Sequence, residues 1–265
     1  MKKLLAIIFT VILGGACLCG NAVISKDTTY CDDGIMPLAA TSVKVEYESK
    51  TEDKFNMVLK YPNYTISPYL AACACVAGSN IIGFYDRYDE ELIPNHNSGT
   101  AFMGNYIYSS DDGYIEDLVR QLYADMGTTS EGTTVTEFKN GMIKFCNRKG
   151  KTITFTSCMK NKKFDYATAK SYMEANQPIA LFCSGYNVAD IFTSEKRDSI
   201  DYIESTANHV MVGFGWKEVN YNITATSSVL YQYVAVASGN ADKSNGYYNI
   251  NYNTTINDAY AINIY

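Results

Sequence analysis

The chain has 265 residues, of which 47% are hydrophobic and 19% charged, so it can bury the core of one large domain or two small ones. The formal net charge of −6 argues against a nucleic-acid-binding surface, and no nucleic-acid partner is expected. Only two histidines, His96 and His209, are present. A metal site built from several histidines is therefore excluded. The sequence also has no nucleotide-binding glycine motif, so no metal or cofactor is expected.

The first 22 residues have the three parts of a secretory signal peptide. Lys2 and Lys3 precede an apolar run from Leu4 to Leu13, and small residues lead up to Ala22. This apolar run is too short to span a bilayer comfortably. We therefore expect cleavage near Ala22 and a secreted, extracellular protein without stable membrane insertion. A lipid anchor at Cys17 is the less favoured alternative.

Residues 23–54 are polar and carry turn signals, which predicts an irregular leader or short pro-segment, followed by one folded domain over residues 55–265. Apolar residues at helical spacing predict four helices, at Cys73–Tyr88, Ile115–Met126, Val135–Cys146 and Tyr166–Asn176. Apolar runs predict strands at Thr152–Thr156, Pro178–Cys183, Val210–Trp216, Tyr231–Ala237, Tyr247–Tyr252 and Ala259–Tyr265. The helices come first and an antiparallel sheet second, so the predicted fold class is α+β.

Signal cleavage would leave six cysteines: Cys31, Cys73, Cys75, Cys146, Cys158 and Cys183. Export permits disulfides, but six cysteines over such a length are too sparse for a small disulfide-stapled scaffold. Their spacing also lacks the paired C-x-x-C units of a zinc site. The last four are predicted to be core or disulfide-bonded residues, and at least one cysteine is expected to have another role.

Cys73 begins a predicted helix, and His209 begins a strongly apolar predicted strand. Backbone N–H groups and the helix dipole at a helix start favour a thiolate and can also hold an oxyanion. A cysteine and a histidine in such positions are the parts of a nucleophile and its base. The alternative is that Cys73 is a buried thiol or half of a disulfide and His209 a core residue. His96 lies in a polar loop and is predicted to be solvated.

The segments around Cys73 and His209 resemble those of one family. PNY at Pro62–Tyr64 is followed by CACVAGSNIIGFYDR at Cys73–Arg87, and further on come QPIAL at Gln177–Leu181 and HVMVGFG at His209–Gly215. These segments are similar, in the same order, to those of secreted papain-fold cysteine peptidases of the bacteriocin-leader-processing (double-glycine) type, in their free-standing form. The likeness extends from about Lys60 to Tyr252.

The resemblance implies a papain-like fold in which N-terminal helices pack on a C-terminal antiparallel sheet, with residues 55–265 as the peptidase domain. It implies that Cys73 is the nucleophile and His209 its base. The third catalytic residue, an Asp or Asn in the family, falls on Ser238, with Asn240 as the alternative if the loop shifts by two residues. Asn63 is the nearest amide side chain for an oxyanion site.

The function implied by the resemblance is that of a bacterial secreted hydrolase, a thiol protease that cleaves a peptide or protein substrate through a thioester. The alternative is a catalytically impaired domain of the same fold that binds peptides or surfaces outside the cell. Ser238 motivates this alternative because a serine hydroxyl supplies no negative charge to stabilise the imidazolium of His209.

Overall fold

The computed structural model describes residues 29–30, 39–57, 61–65, 67, 69–103, 105–110, 112–240, 245–252 and 255–265. The predicted signal peptide, including Cys17, lies outside the described residues, and so does Cys31. Across these described ranges, no helix has both the length and the apolar character needed to cross a bilayer.

The described chain contains four helices: α1 Cys73–Asp86, α2 Gly113–Met126, α3 Val135–Arg148 and α4 Tyr166–Glu174. Three of them begin at a side chain that accepts hydrogen bonds from the first turn, namely Asp112 for α2, Thr134 for α3 and Asp165 for α4. Gly127 ends α2 in the left-handed conformation, with φ 68°. Helices α2, α3 and α4 are amphipathic, and their ends lie within a few residues of the predicted bounds.

Helix α1 differs from the other three because all of its 14 residues are buried. It ends at Asp86, earlier than predicted, and Tyr88 beyond it is 60% exposed. The predicted helix is thus present but ends two residues earlier, and it runs through the interior with no solvent-facing side. Its residues are mostly apolar or small, which suits such a central position.

Strands form most of the remaining described chain: β1 Thr29–Tyr30, β2 Ala39–Glu46, β3 Ser49–Asn56, β4 Gly99–Phe102, β5 Asn105–Tyr108, β6 Thr133–Thr134, β7 Ile153–Ser157, β8 Met159–Lys160, β9 Lys163–Phe164, β10 Ile179–Ser194, β11 Arg197–Thr224, β12 Ser227–Ala237, β13 Asn245–Asn249 and β14 Thr255–Ile264. Three short pairs stand apart from the main sheet: β1 with β6, β4 with β5 and β8 with β9.

The main sheet is antiparallel, with strand order β2-β11-β12-β13-β10-β14-β7. Its central element is β11, which is 28 residues long and pairs with β10 and β12. Its first half, Arg197–Glu204, also pairs with β2, and its second half, Gly215–Asn222, pairs with β3. The strands predicted around Cys183, Val210 and Ala237 cover only parts of these three long strands.

The segment 39–54, predicted to be irregular, is instead part of the main sheet. It forms β2 and most of β3, and the predicted domain boundary after residue 54 falls inside β3. The two strands are largely exposed, so they lack the apolar alternation by which a strand is recognised. A role of residues 23–54 as a pro-segment stays a prediction.

Alternate side chains of the sheet face two different layers of helices. On one face, Ala180 and Phe182 of β10 join the buried cluster formed with α1, α2 and α3. On the other face, Ile179 and Leu181 join the cluster formed with α4. The fold is thus an α+β arrangement with helices on both sides of one antiparallel sheet.

Candidate active site

Cys73 is the first residue of α1 and is 6% exposed. Ala72 occupies the N-cap position, and no described side chain caps this helix. Ala71, just before it, has φ 55°, a left-handed conformation that is uncommon for a residue with a side chain. The start of α1 therefore differs from the other helix starts, because its first-turn N–H groups are not occupied by a capping side chain.

His209 lies on β11, directly opposite Cys183 of β10, and is 2% exposed. Its Nε2 is 2.6 Å from the backbone carbonyl oxygen of Ser238. A carbonyl oxygen only accepts hydrogen bonds, so Nε2 carries a proton and donates it to this contact. In the neutral imidazole the lone pair is then on Nδ1, which is also buried.

The contact from Ser238 to His209 is therefore made by the main chain. The hydroxyl of Ser238 accepts a hydrogen bond from the backbone N–H of Asn240 at 3.0 Å, which closes the loop after β12. The side-chain amide of Asn240 donates to the hydroxyl of Tyr186 at 2.9 Å. Of the two residues considered for the third position, Ser238 accepts a hydrogen bond from His209 through its main-chain carbonyl.

Tyr186 was missed by the sequence analysis. Its ring centroid lies 4.5 Å from that of His209, with 34° between the ring planes. Tyr186 is itself fully buried on β10 and follows an irregularity in the pairing of that strand with β11. It fixes the imidazole plane from one side, and no motif around Tyr186 indicated this contact.

The loop that holds His209 packs against the first turn of α1. Gly239 has φ 73°, and a Cβ at this position would lie 3.0 Å from Cγ1 of Val76. Only glycine combines this backbone conformation with so close an approach. The loop after β12 thus contacts both His209 and the first turn of α1, the helix that Cys73 begins.

The other described cysteines are held as thiols. Burial raises the pKa of Cys75, Cys146 and Cys183 to about 12 and that of Cys158 to about 11. None of the five described cysteines forms a disulfide with another residue of the described ranges. At neutral pH these four thiols are protonated and are therefore poor nucleophiles.

Asn63 lies in a segment that α1 holds in place. Asn80 of α1 accepts from the backbone N–H of Tyr64 at 2.7 Å and donates to the Tyr64 carbonyl at 3.0 Å. The ring of Tyr64 also packs on Gly83, where a Cβ would lie 2.5 Å from it. The Oδ1 atom of Asn63 is buried and has no hydrogen-bond partner among the described residues. Several residues of the motif thus serve to join segment 61–65 to α1.

His96 is buried, so the prediction of a solvated loop histidine is wrong. It is 7% exposed, and its Nδ1 lies 3.1 Å from a carboxylate oxygen of Asp112, the N-cap of α2. Its Nε2 lies 3.4 Å from the hydroxyl of Tyr64. These two bonds involve both ring nitrogens, so His96 links Tyr64 of segment 61–65 to the N-cap of α2.

Within the described ranges, no group of three or more His, Cys, Asp or Glu side chains is arranged to hold a metal ion. Comparisons with known proteins return no match: no family model matches the chain, and no curated protein or solved structure matches it significantly. The family resemblance therefore stays a prediction.

Proposed function

We propose that the protein is a secreted cysteine peptidase in which Cys73 is the nucleophile and His209 is its base. The observation that carries this proposal is the 2.6 Å contact from His209 Nε2 to the carbonyl of Ser238. This contact leaves Nδ1 as the basic nitrogen, and the loop that accepts it packs on the first turn of the helix that Cys73 begins. The papain-like fold and the family resemblance belong to the same proposal.

In the proposed reaction, His209 Nδ1 removes the proton from Cys73 Sγ, and the thiolate attacks the carbonyl carbon of the scissile peptide bond. The new imidazolium keeps its Nε2–H bond to Ser238, so the ring stays in one orientation. Nδ1–H then protonates the leaving amine, the C–N bond breaks and a thioester remains. Water attacks the thioester with Nδ1 as base, which releases the acid and restores the thiol.

The oxyanion formed in both steps requires hydrogen-bond donors close to the nucleophile. The backbone N–H groups at the start of α1 are suited to this role because no capping side chain from the described residues competes for them. The side-chain amide of Asn63 is the second candidate donor. Asn80 and His96 hold the segment that carries it.

The test is hydrolysis of fluorescein-labelled casein by the full chain under reducing conditions. Cys73→Ala and His209→Ala are each expected to lower the rate by at least about 100-fold, because each removes a group that takes part in bond making or proton transfer. Cys158→Ala is the matched control: it removes another buried thiol, one packed with α4 on the other face of the sheet.

Loss of hydrolysis in the first two variants with retention in Cys158→Ala supports the proposal. Equal rates in wild type and Cys73→Ala would show that another group performs the chemistry. Circular dichroism and urea unfolding of all variants separate a catalytic loss from a loss of fold.

A binding domain without catalysis is the second candidate function. It is favoured by the uncharged nature of the Ser238 carbonyl, which orients His209 but gives the imidazolium less stabilisation than a carboxylate. If wild-type protein does not hydrolyse casein in reducing buffer between pH 5 and about 8, but does retain peptide on a surface-plasmon-resonance chip, this second function is supported instead.

A further inference from the structure

Three contacts that hold His209, from β10 and from the loop after β12, carry no formal charge. Cys183, the strand partner of His209, is a thiol at neutral pH because burial raises its pKa to about 12. The main-chain carbonyl of Ser238 accepts the Nε2–H bond, and the third contact is the ring of Tyr186. When Nδ1 takes up a proton, these three contacts face a cation.

An irregularity in β10 brings the ring of Tyr186 to His209. Tyr186 follows Cys183 at an odd spacing, and side chains at odd spacings point to opposite faces of a regular strand. The pairing of β10 with β11 changes register between Ser184 and Tyr186, and Gly185 between them has φ 69°. Such a change of register re-aims a side chain, and here the re-aimed side chain is the one that stacks on the imidazole.

One loop holds both the imidazole and the tyrosine ring. The carbonyl of Ser238 accepts the bond from His209 Nε2 at 2.6 Å. In the same loop, the side-chain amide of Asn240 donates to the hydroxyl of Tyr186 at 2.9 Å. The two ring centroids are 4.5 Å apart, and 34° separates the ring planes. The loop therefore fixes the two rings relative to each other.

A ring in this position acts on the charge of the imidazole as well as on its orientation. The face of an aromatic ring is negative, and it attracts a cation that lies within about 6 Å of the ring centroid. The attraction is stronger when both groups are removed from water, and Tyr186 is fully buried while His209 is 2% exposed. Because neutral imidazole has no net charge, the attraction favours the protonated form of His209.

We propose that Tyr186 is a positioning residue that stabilises the imidazolium of His209 through its ring face, and that it thereby performs part of the role of a carboxylate in the third position. The Ser238 carbonyl orients the imidazole, and the tyrosine ring adds stabilisation of its charge, still less than a full carboxylate gives. In the proposed peptidase, this increases the population of imidazolium and thiolate, the reactive form of the pair. That consequence rests on the proposed function, whereas the effect on His209 does not.

The test is the titration of His209 in the histidine-labelled full chain, followed by nuclear magnetic resonance. The chain has two histidines, so the signals of His96 serve as an internal reference. Tyr186→Phe keeps the ring face and is expected to titrate close to wild type. Tyr186→trifluorophenylalanine, introduced by stop-codon suppression, keeps nearly the same shape but withdraws negative charge from the ring face. It is expected to lower the titration midpoint of His209 by about one pH unit, which is a tenfold change in the ratio of imidazolium to imidazole.

Phe138→trifluorophenylalanine is the matched control, because Phe138 is a fully buried ring on α3, and it is expected to leave the midpoint of His209 unchanged. If the ring variants of Tyr186 do not fold, Asn240→Ala replaces them: it releases the hydroxyl but keeps the ring, and a smaller shift in the same direction is expected.

Equal midpoints for Tyr186→Phe and Tyr186→trifluorophenylalanine, or no shift in Asn240→Ala where it replaces them, would overturn the proposal and leave Tyr186 a purely steric role. A His209 that stays neutral down to about pH 4 would overturn it too, because no imidazolium would form. The expected shift in a protein that hydrolyses no casein would keep the role of Tyr186 and reject the peptidase. Hydrolysis with equal midpoints would do the reverse, so the two proposals are tested separately.

Discussion

The contact of His209 with Ser238 determines which ring nitrogen is available for chemistry. The carbonyl fixes the proton on Nε2, and the ring of Tyr186, 4.5 Å away, limits rotation of the imidazole. A carbonyl dipole stabilises an imidazolium less than a full carboxylate charge does. We therefore expect the imidazole to be well oriented and its cationic form to be only modestly stabilised.

Asp86, at the end of α1, is a fully buried carboxyl group. Its pKa is raised to about 7, chiefly by burial and with smaller contributions from Glu90 and Asp89, against the lowering effects of the Ile93 backbone N–H and the charge of Lys149. One oxygen accepts the Ile93 N–H at 2.8 Å, and the other has no hydrogen-bond partner among the described residues. The neutral acid is the form that this site favours below neutral pH.

This raised pKa gives a pH dependence with a definite sign. In the unfolded chain the carboxyl loses its proton near its ordinary value of 3.8, whereas the folded protein keeps the proton up to about 7. The folded state therefore binds more protons in this window, so the free energy of unfolding falls as pH rises through it. For Asp86→Asn this fall, at most about 1.4 kcal/mol per pH unit between the two pKa values, should be absent.

Urea unfolding of wild type and Asp86→Asn between pH 4 and 8 measures this difference. The asparagine keeps an acceptor for Ile93, so the comparison isolates the charge. Parallel stability profiles for the two proteins over this range would contradict the prediction.

At the scale of single residues, the position of Cys73 was predictable and the partner of His209 was not. A cysteine before an apolar helical pattern indicates a helix start, and α1 begins at that residue. The atom that contacts His209 is a main-chain oxygen, which every residue type carries at position 238. The side chain of Ser238 therefore held no information about this contact. The burial of His96 depends on Tyr64 and Asp112, which only the tertiary fold brings to it.

At the scale of elements, α1 holds the segment that precedes it. Asn80 replaces the hydrogen bonds of a strand partner by bonding both main-chain groups of Tyr64. Helices α2 and α3 were predictable because each has one apolar face and a capping signal. Strands β2 and β3 were not, because their stability comes from pairing with β11 while most of their side chains face solvent.

Asn80→Leu is expected to destabilise the protein by about 2–4 kcal/mol, because two main-chain groups of Tyr64 lose their buried bonds to this side chain. Ser79→Ala is the matched control on the same helix. Ser79 is equally buried, but its hydroxyl bonds only to the Val76 carbonyl within α1, so the expected loss is about 1 kcal/mol or less. Equal losses of unfolding free energy in urea for the two variants would refute the role assigned to Asn80.

At the scale of the whole molecule, β11 connects the two ends of the fold. One end carries His209, and the other is surrounded by buried tyrosines such as Tyr202, Tyr221 and Tyr233. At that far end, Asp198 has a fully buried side chain and accepts hydrogen bonds from Lys50 at 2.7 Å, Tyr221 at 2.7 Å and Tyr47 at 3.0 Å. This network ties the segment that carries β2 and β3 to both halves of β11.

The charge of Asp198 depends on Tyr47 and Lys50, which belong to the predicted leader. Burial alone would raise the pKa of Asp198, but the bonds from Lys50, Tyr221 and Tyr47 outweigh it and lower the pKa. Because the pKa is lower in the folded state, the stabilisation is present above the ordinary range of an aspartate and is lost as pH falls through the lowered value. Removal of residues 39–54 would take Lys50 away and leave a buried carboxylate uncompensated.

Lys50→Met tests this network while keeping strands β2 and β3. We expect a loss of about 2–4 kcal/mol in unfolding free energy at pH 7, because an unpaired buried carboxylate is costly. The double variant Lys50→Met with Asp198→Asn should recover part of that loss, since it removes the uncompensated charge as well.

Lys54→Met is the control on the same strand. Its pair with Glu52 spans 3.4 Å and its side chain is 58% exposed, so a change below about 0.5 kcal/mol in unfolding free energy is expected. If Lys50→Met behaves like Lys54→Met, Lys50 is not needed to hold the charge of Asp198.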